Sequence, residues 1–294
     1  MARELRAKID TIGGSVEDME ILLFRAVLAP CVVLLVSLAA RRIGPRAGGR
    51  LLGAPTTTGP FLLLVALSDG PKAAAGSVPG CVAGQTAVAG FCLGYGRLAP
   101  RLRPAWTLAA ALACAAAAGL AAAGLGAASH AGIWSAAALD VTLVVAGLLT
   151  WHAPAATDQP SDTPRRWEIP ARMAISGVTV LLAVTVAQAA GPFVGGVLSS
   201  LPILLTVMAP SIRRSAGAPA AAQFARGALA SGPATIAFLL VLDAALEPLG
   251  ALTTFPLALA ALALTDQLAR FSLPRPGPRL AVRSGRSGIR AGLQ

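Results

Sequence analysis

Hydroxyl groups, rather than acids, bases or thiols, form the densest chemically capable grouping in this sequence. Thr56, Thr57 and Thr58 stand between Pro55 and Gly59-Pro60, and Ser199 and Ser200 stand just before Pro202. Hydroxyls beside prolines suit binding rather than catalysis. Proline removes a backbone donor and clashes with the preceding helical turn. The carbonyls and amides freed at such a break then need partners in protein, water or ligand. One isolated carboxyl joins this group: Asp140 lies about seven residues into an apolar stretch, roughly 10 Å deep at helical rise. A carboxyl at that depth is costly and is a candidate for carrying a proton or pairing with a cation. Water or Thr142 could equally satisfy it.

Other chemistry is sparse. Cys31, Cys81, Cys92 and Cys114 all lie in apolar stretches without a C-x-x-C pair, so they read as small hydrophobes. His130 and His152 fall near span ends, and Cys and His together give no metal-site spacing. Paired intramembrane carboxylates and Ser–His or Asp–Asp arrangements are not readable, and no G-x-x-x-x-G-K-[ST] phosphate loop occurs. No catalytic residue, metal or cofactor is therefore expected, and an intramembrane enzyme is the weakest reading. Gln85 reads as an interhelical hydrogen-bond former. Gln188, Asp243, Glu247 and Asp266 read as interfacial.

The elements that must position these groups follow from composition. Of 294 residues, 55% are hydrophobic and 13% charged, against about a quarter charged in soluble domains. Mean hydropathy is +0.71. These values exclude a disordered chain and argue against a soluble enzyme domain. A bilayer core takes about 20 apolar residues as helix. Nine such segments are expected: 21–41, 45–69, 77–97, 105–127, 133–152, 170–190, 191–211, 227–246 and 249–269. The third is the weakest, being rich in glycine. The fold class is thus all-α, a polytopic transmembrane helical bundle.

Basic residues alternate between connections. Arg41 and Arg42, then Arg97, Arg101 and Arg103, then Arg165 and Arg166, then Arg213, Arg214 and Arg226 occupy odd connections; the even ones hold Lys72. Cytoplasmic loops collect Lys and Arg. The expected topology is multi-pass in a bacterial cytoplasmic membrane, N-terminus out and C-terminus in. The net charge of +11 is then a topology signal with attraction to lipid headgroups, and no nucleic-acid partner is expected. Residues 1–20 read as a polar extension without a cleavable signal pattern, with Met19 an alternative start. Residues 153–169 read as a cytoplasmic linker and 270–294 as a basic disordered tail.

The chain also repeats itself. Gly44-Pro45-Arg46-Ala47-Gly48-Gly49-Arg50-Leu51 runs on to Pro55, and Gly191-Pro192-Phe193-Val194-Gly195-Gly196-Val197-Leu198 runs on to Pro202. Both read G-P-x-x-G-G-x-L-x-x-x-P at an offset of 147, which also pairs Arg25 with Arg172, Gly70 with Gly217 and Phe91 with Phe238. Five spans in the first unit (21–152) would invert the four of the second (170–269), a transporter architecture. A ten-residue half-helix from Pro45 covers about 15 Å, half the hydrocarbon core, so each break would lie near the midplane. Gly48-Gly49 and Gly195-Gly196 would let another backbone approach closely. The expected solute site comprises Pro55, Thr56, Thr57, Thr58, Gly59, Ser199, Ser200 and Pro202, with Asp140 as a coupling group. The competing reading is a pair of kinked, glycine-packed helices repaired by their own hydroxyls.

The run from Gly44 through Pro55-Thr56-Thr57-Thr58-Gly59-Pro60 resembles a segment shared by a group of bacterial integral membrane proteins, and is similar in style to the GlpM-like and AbrB-like membrane families. Arg50 departs from their usual leucine and puts a charge near the cytoplasmic mouth. The resemblance covers residues 25–100 and, more weakly, 172–245. It implies a polytopic helical fold and supplies neither substrate nor catalytic residues. A secondary transporter or permease for an unidentified small solute is the leading expectation, with lipid as its surroundings and an oligomer compatible. A non-transporting assembly or regulatory component is the alternative.

Overall fold

The computed structural model describes residues 54–151 and 168–272, and those residues form helices without strands. In chain order they are α1 (Thr58–Ser68), α2 (Pro71–Leu98), α3 (Pro104–Ala128), α4 (Ile133–Thr150), α5 (Glu168–Ala190), α6 (Pro192–Ser200), α7 (Ile203–Ala230), α8 (Gly232–Leu249) and α9 (Ala251–Ser272). Among the described residues four helical stretches are long and apolar enough to cross a bilayer: Pro104–Ala128, Ile133–Thr150, Pro192–Leu249 and Ala251–Phe271. The third is interrupted at Leu201-Pro202, at Gly217 and at Ser231. The segment 21–41, the motif residues Gly44, Pro45, Gly48 and Gly49, Cys31, His152 and nearly all of the tail lie outside the described residues.

Helix α2 is the axis of the bundle. From Gly80 to Gly96 only Leu93 escapes full burial. A helix apolar all round belongs inside, and α2 gains its room from glycine. A Cβ on Gly90 would meet the Cys114 carbonyl of α3 at 2.6 Å, and one on Gly94 would meet Ala111 Cα at 3.1 Å. Small residues therefore seat the alanine-rich α3 directly on α2. The glycines that weakened this segment as an expected span are the ones that place it centrally, and it begins at Pro71 rather than near residue 77. The outer helices turn apolar side chains outward: Trp106, Leu120, Leu252 and Phe271 are all strongly exposed. Such faces suit a bilayer.

Two apolar layers are stacked along α2. One joins its first half, through Ala83, to Phe61, Val180, Phe238 and Leu242. The other joins its second half, from Ala87, to Val144, Leu205, Phe224 and Leu229. Gly84, Gln85 and Thr86 fall between the layers. At 1.5 Å per residue, Gly84 lies about 20 Å from the start of α2, near the middle of the bundle.

Arginines gather at one end. Arg97 donates to Thr150 Oγ1 at 2.6 Å, Arg213 to Thr107 Oγ1 at 2.9 Å and to the Leu102 carbonyl, and Arg226 to the Trp151 carbonyl. These bonds join the end of α2 to the end of α4, and α7 to the start of α3 and the end of α4. Arg213, Arg214 and Arg226 are helical, not in a loop as expected. The chain kinks instead at Gly217, whose φ of 83° side chains disfavour.

Candidate functional site

The second-unit break falls where proline dictates. α6 is a nine-residue half-helix, about 13 Å long at helical rise. Leu201 leaves it with φ −60° and ψ 147°, the extended conformation imposed on a residue before proline. Pro202 then caps α7, which restarts at Ile203. In the first unit, Ala54 to Thr57 form a turn and α1 starts at Thr58. What precedes Ala54 lies outside the described residues.

Glycine brings the half-helix to the axis. A Cβ on Gly80 would land on the Phe193 carbonyl, one on Gly196 on the Ser77 carbonyl, and one on Gly84 would meet Ser200 Cβ at 2.6 Å. Gly195 packs on the other side, where a Cβ would meet the Ala183 carbonyl of α5 at 2.7 Å. The close approach expected of Gly195-Gly196 is thus present, with α2 on one side and α5 on the other. A Cβ on Gly76 would touch Pro192 at 3.7 Å, so α2 and α6 start at the same end and run parallel.

The two breaks meet at the level of Gly84. Thr57 Oγ1 donates to the Ser199 carbonyl at 2.9 Å, and the Thr58 and Ser200 hydroxyls bond at 2.9 Å. Ser199 Oγ donates to the Gly196 carbonyl at 2.8 Å and lies 3.8 Å from Cys81 Sγ. From this junction α1 runs towards the start of α2, while α7 runs towards the arginine end. Their first turns therefore stand head to head.

A small cavity of about 30 Å³ lies between them, room for one or two waters. Pro55, Thr56, Thr57, Thr58, Ser200 and Pro202 line it, with Gln85, Val88 and Thr179 on its walls. Six residues of the expected solute site are thus together. Ser199 backs the wall, and Gly59 faces Phe238. Gln85 corrects its expectation: this buried residue forms no hydrogen bond among the described residues and borders the cavity. Thr179 donates back to the Ile175 carbonyl.

Asp140 stands apart from the lining. It is fully buried, and neither carboxyl oxygen has a hydrogen-bond partner among the described residues. A Cβ on Gly232, at the start of α8, would lie 3.5 Å from Asp140 Oδ2. Thr142 does not satisfy it, because its hydroxyl donates to the Ala138 carbonyl at 2.7 Å. Gln188, Glu247 and His130 are exposed, and Asp266 pairs with Arg270 at 2.8 Å. Among the described residues no cluster of His, Cys, Asp and Glu could hold a metal. Comparison with protein-family models, curated proteins and solved structures finds no match to this chain.

Proposed function

We propose that this chain is a secondary transporter of the bacterial cytoplasmic membrane, with nine spans, N-terminus out and C-terminus in. Two inverted repeats rock against each other around the cavity between the breaks. The observation that carries this reading is the head-to-head meeting of Pro55–Thr58 with Pro202–Leu205, segments 147 positions apart in the sequence. Their helices run in opposite directions, as inverted repeats require. The gathering of Arg97, Arg213 and Arg226 at one end favours a single cytoplasmic face for these connections.

Irregular backbone at membrane depth persists where it lines a cavity or is buried in protein. Here the solute occupies the space between Thr56, Thr57, Thr58, Ser200 and Pro202. Asp140 couples transport to a proton or cation, since enclosing a carboxyl without a partner is expensive. Reconstitution into liposomes tests the reading. Saturable solute flux that Asp140→Asn uncouples from a proton or sodium gradient is the expected result.

The bonds between Thr57, Thr58, Ser199 and Ser200 favour a second reading. They repair the breaks internally, as a non-transporting assembly component would need. Solute flux absent across a broad panel, with positions 56–58 and 199–200 shielded from both sides, would select it.

A further inference from the structure

We infer that the cavity between the two helix starts binds a small monovalent anion, either a free ion or the carboxylate end of a longer solute. The inference rests on the transport reading for its location and deepens it by naming the substrate class.

The argument begins with unpaired donors. The first N–H groups of a helix have no partner within it, and aligned peptide dipoles add partial positive charge there. Among the described residues neither α1 nor α7 has a side-chain cap. Among the described residues the amides of Thr58, Leu204 and Leu205 have no carbonyl partner, although neighbouring turns are fully assigned: Gly59 N to Pro55, Phe61 N to Thr57, Thr206 N to Pro202. All three residues border the cavity. Two positive helix ends thus face one water-sized space, from α1 with 11 residues and from the 14 residues of α7 before Gly217.

A side chain supplies the independent observation. Gln85 is 6% exposed, lacks a hydrogen-bond partner among the described residues and lines the same cavity. Its amide has two N–H donors to offer. An amide that borders the cavity without a protein partner is open to a ligand that accepts hydrogen bonds.

Part of the acceptor set nearby is already used. α6 ends at the cavity with its negative pole, but the Ser199 carbonyl accepts from Thr57 Oγ1, Leu198 from Leu201 N and Leu201 from Ile203 N. Among the described residues no Asp or Glu lines the space to repel an anion, and no Lys or Arg lines it to hold a phosphate dianion. Dipoles and neutral donors alone suit a single charge. A space of about 30 Å³ is of a size for chloride or a carboxylate head.

Thermal unfolding of the purified full-length protein tests this, with sodium gluconate replaced stepwise by chloride, nitrate or formate. A saturable rise in Tm is expected, unchanged when sodium is replaced by N-methylglucamine. The apparent affinity should fall about ten-fold in Gln85→Leu, the loss of one hydrogen bond to a charged group. It should also fall in Thr56→Val, which keeps the measurement decisive if Gln85→Leu does not fold. Gly124→Ala, in open space, should bind as the parent does. A Tm indifferent to the anion, a rise that follows the cation, or an anion effect equal in all variants would overturn the inference. Anion binding without flux in liposomes would support the site and overturn the transport reading. Neutral-solute flux without anion dependence would do the reverse.

Discussion

Thr58 and Ser200, 142 positions apart, join their hydroxyls at 2.9 Å inside the bundle. The bond fixes the start of α1 to the end of α6, and both hydroxyls sit where regular helix has stopped. Removing one partner leaves the other buried and unpaired, at a cost of about 1–3 kcal/mol. Thr58→Val and Ser200→Ala should each lower stability within that range. The double variant should lose less than the sum of the two, measured by reversible denaturant unfolding in mixed micelles.

Glycine spacing on α2 should be strict at the crossing with α6. Gly80→Ala places a methyl group on the Phe193 carbonyl, and a helix clamped between α2 and α5 cannot retreat. We expect a large loss of folded protein in detergent. Gly124→Ala faces open space and should be neutral or slightly stabilising, since alanine is the better helix former by about 1 kcal/mol. Size-exclusion profiles and Tm report both.

Asp140 should matter for function more than for stability. Its carboxyl makes no hydrogen bond among the described residues, so Asp140→Asn has no such bond to break. The variant should fold with a Tm within a few degrees of the parent. In liposomes, its flux should no longer respond to an imposed proton or sodium gradient.

The arginine end should be one membrane face. In a background with the native cysteines replaced by alanine, single cysteines at Arg101 and Arg213 should react with an impermeant maleimide from the same side. Cysteines at Ala131 and Gly250 should react from the other. Labelling of Arg101→Cys and Arg213→Cys from opposite sides would contradict both the hydrogen bonds of Arg213 to α3 and the proposed topology.

Local chemistry made part of this fold legible in the sequence. The break at Ser199–Pro202 was readable because proline acts on its own neighbours. The start of α1 after Pro55 was readable for the same reason. The start of α2 is not legible in the sequence because Pro71 to Gly80 carries lysine, serine, glycine and two prolines, a pattern that lowers hydropathy. Burial between α6 and α3, not hydropathy, stabilises that stretch. Arg213 and Arg214 suggested a loop, but their helix continues to a kink at Gly217, and Arg213 reaches back to α3. The role of Gln85 was least legible. Its significance depends on Thr56 and Leu204, which only the tertiary fold brings beside it.

Solvent access to the junction tests the central claim most directly. Thr56→Cys and Ser200→Cys, in reconstituted protein without native cysteines, would be probed with impermeant thiol reagents applied to each side separately. The account predicts reaction from both sides, with rates that shift in opposite directions when solute is added to one side. Protection from both sides under every condition would contradict it, leaving the two breaks as sealed kinks.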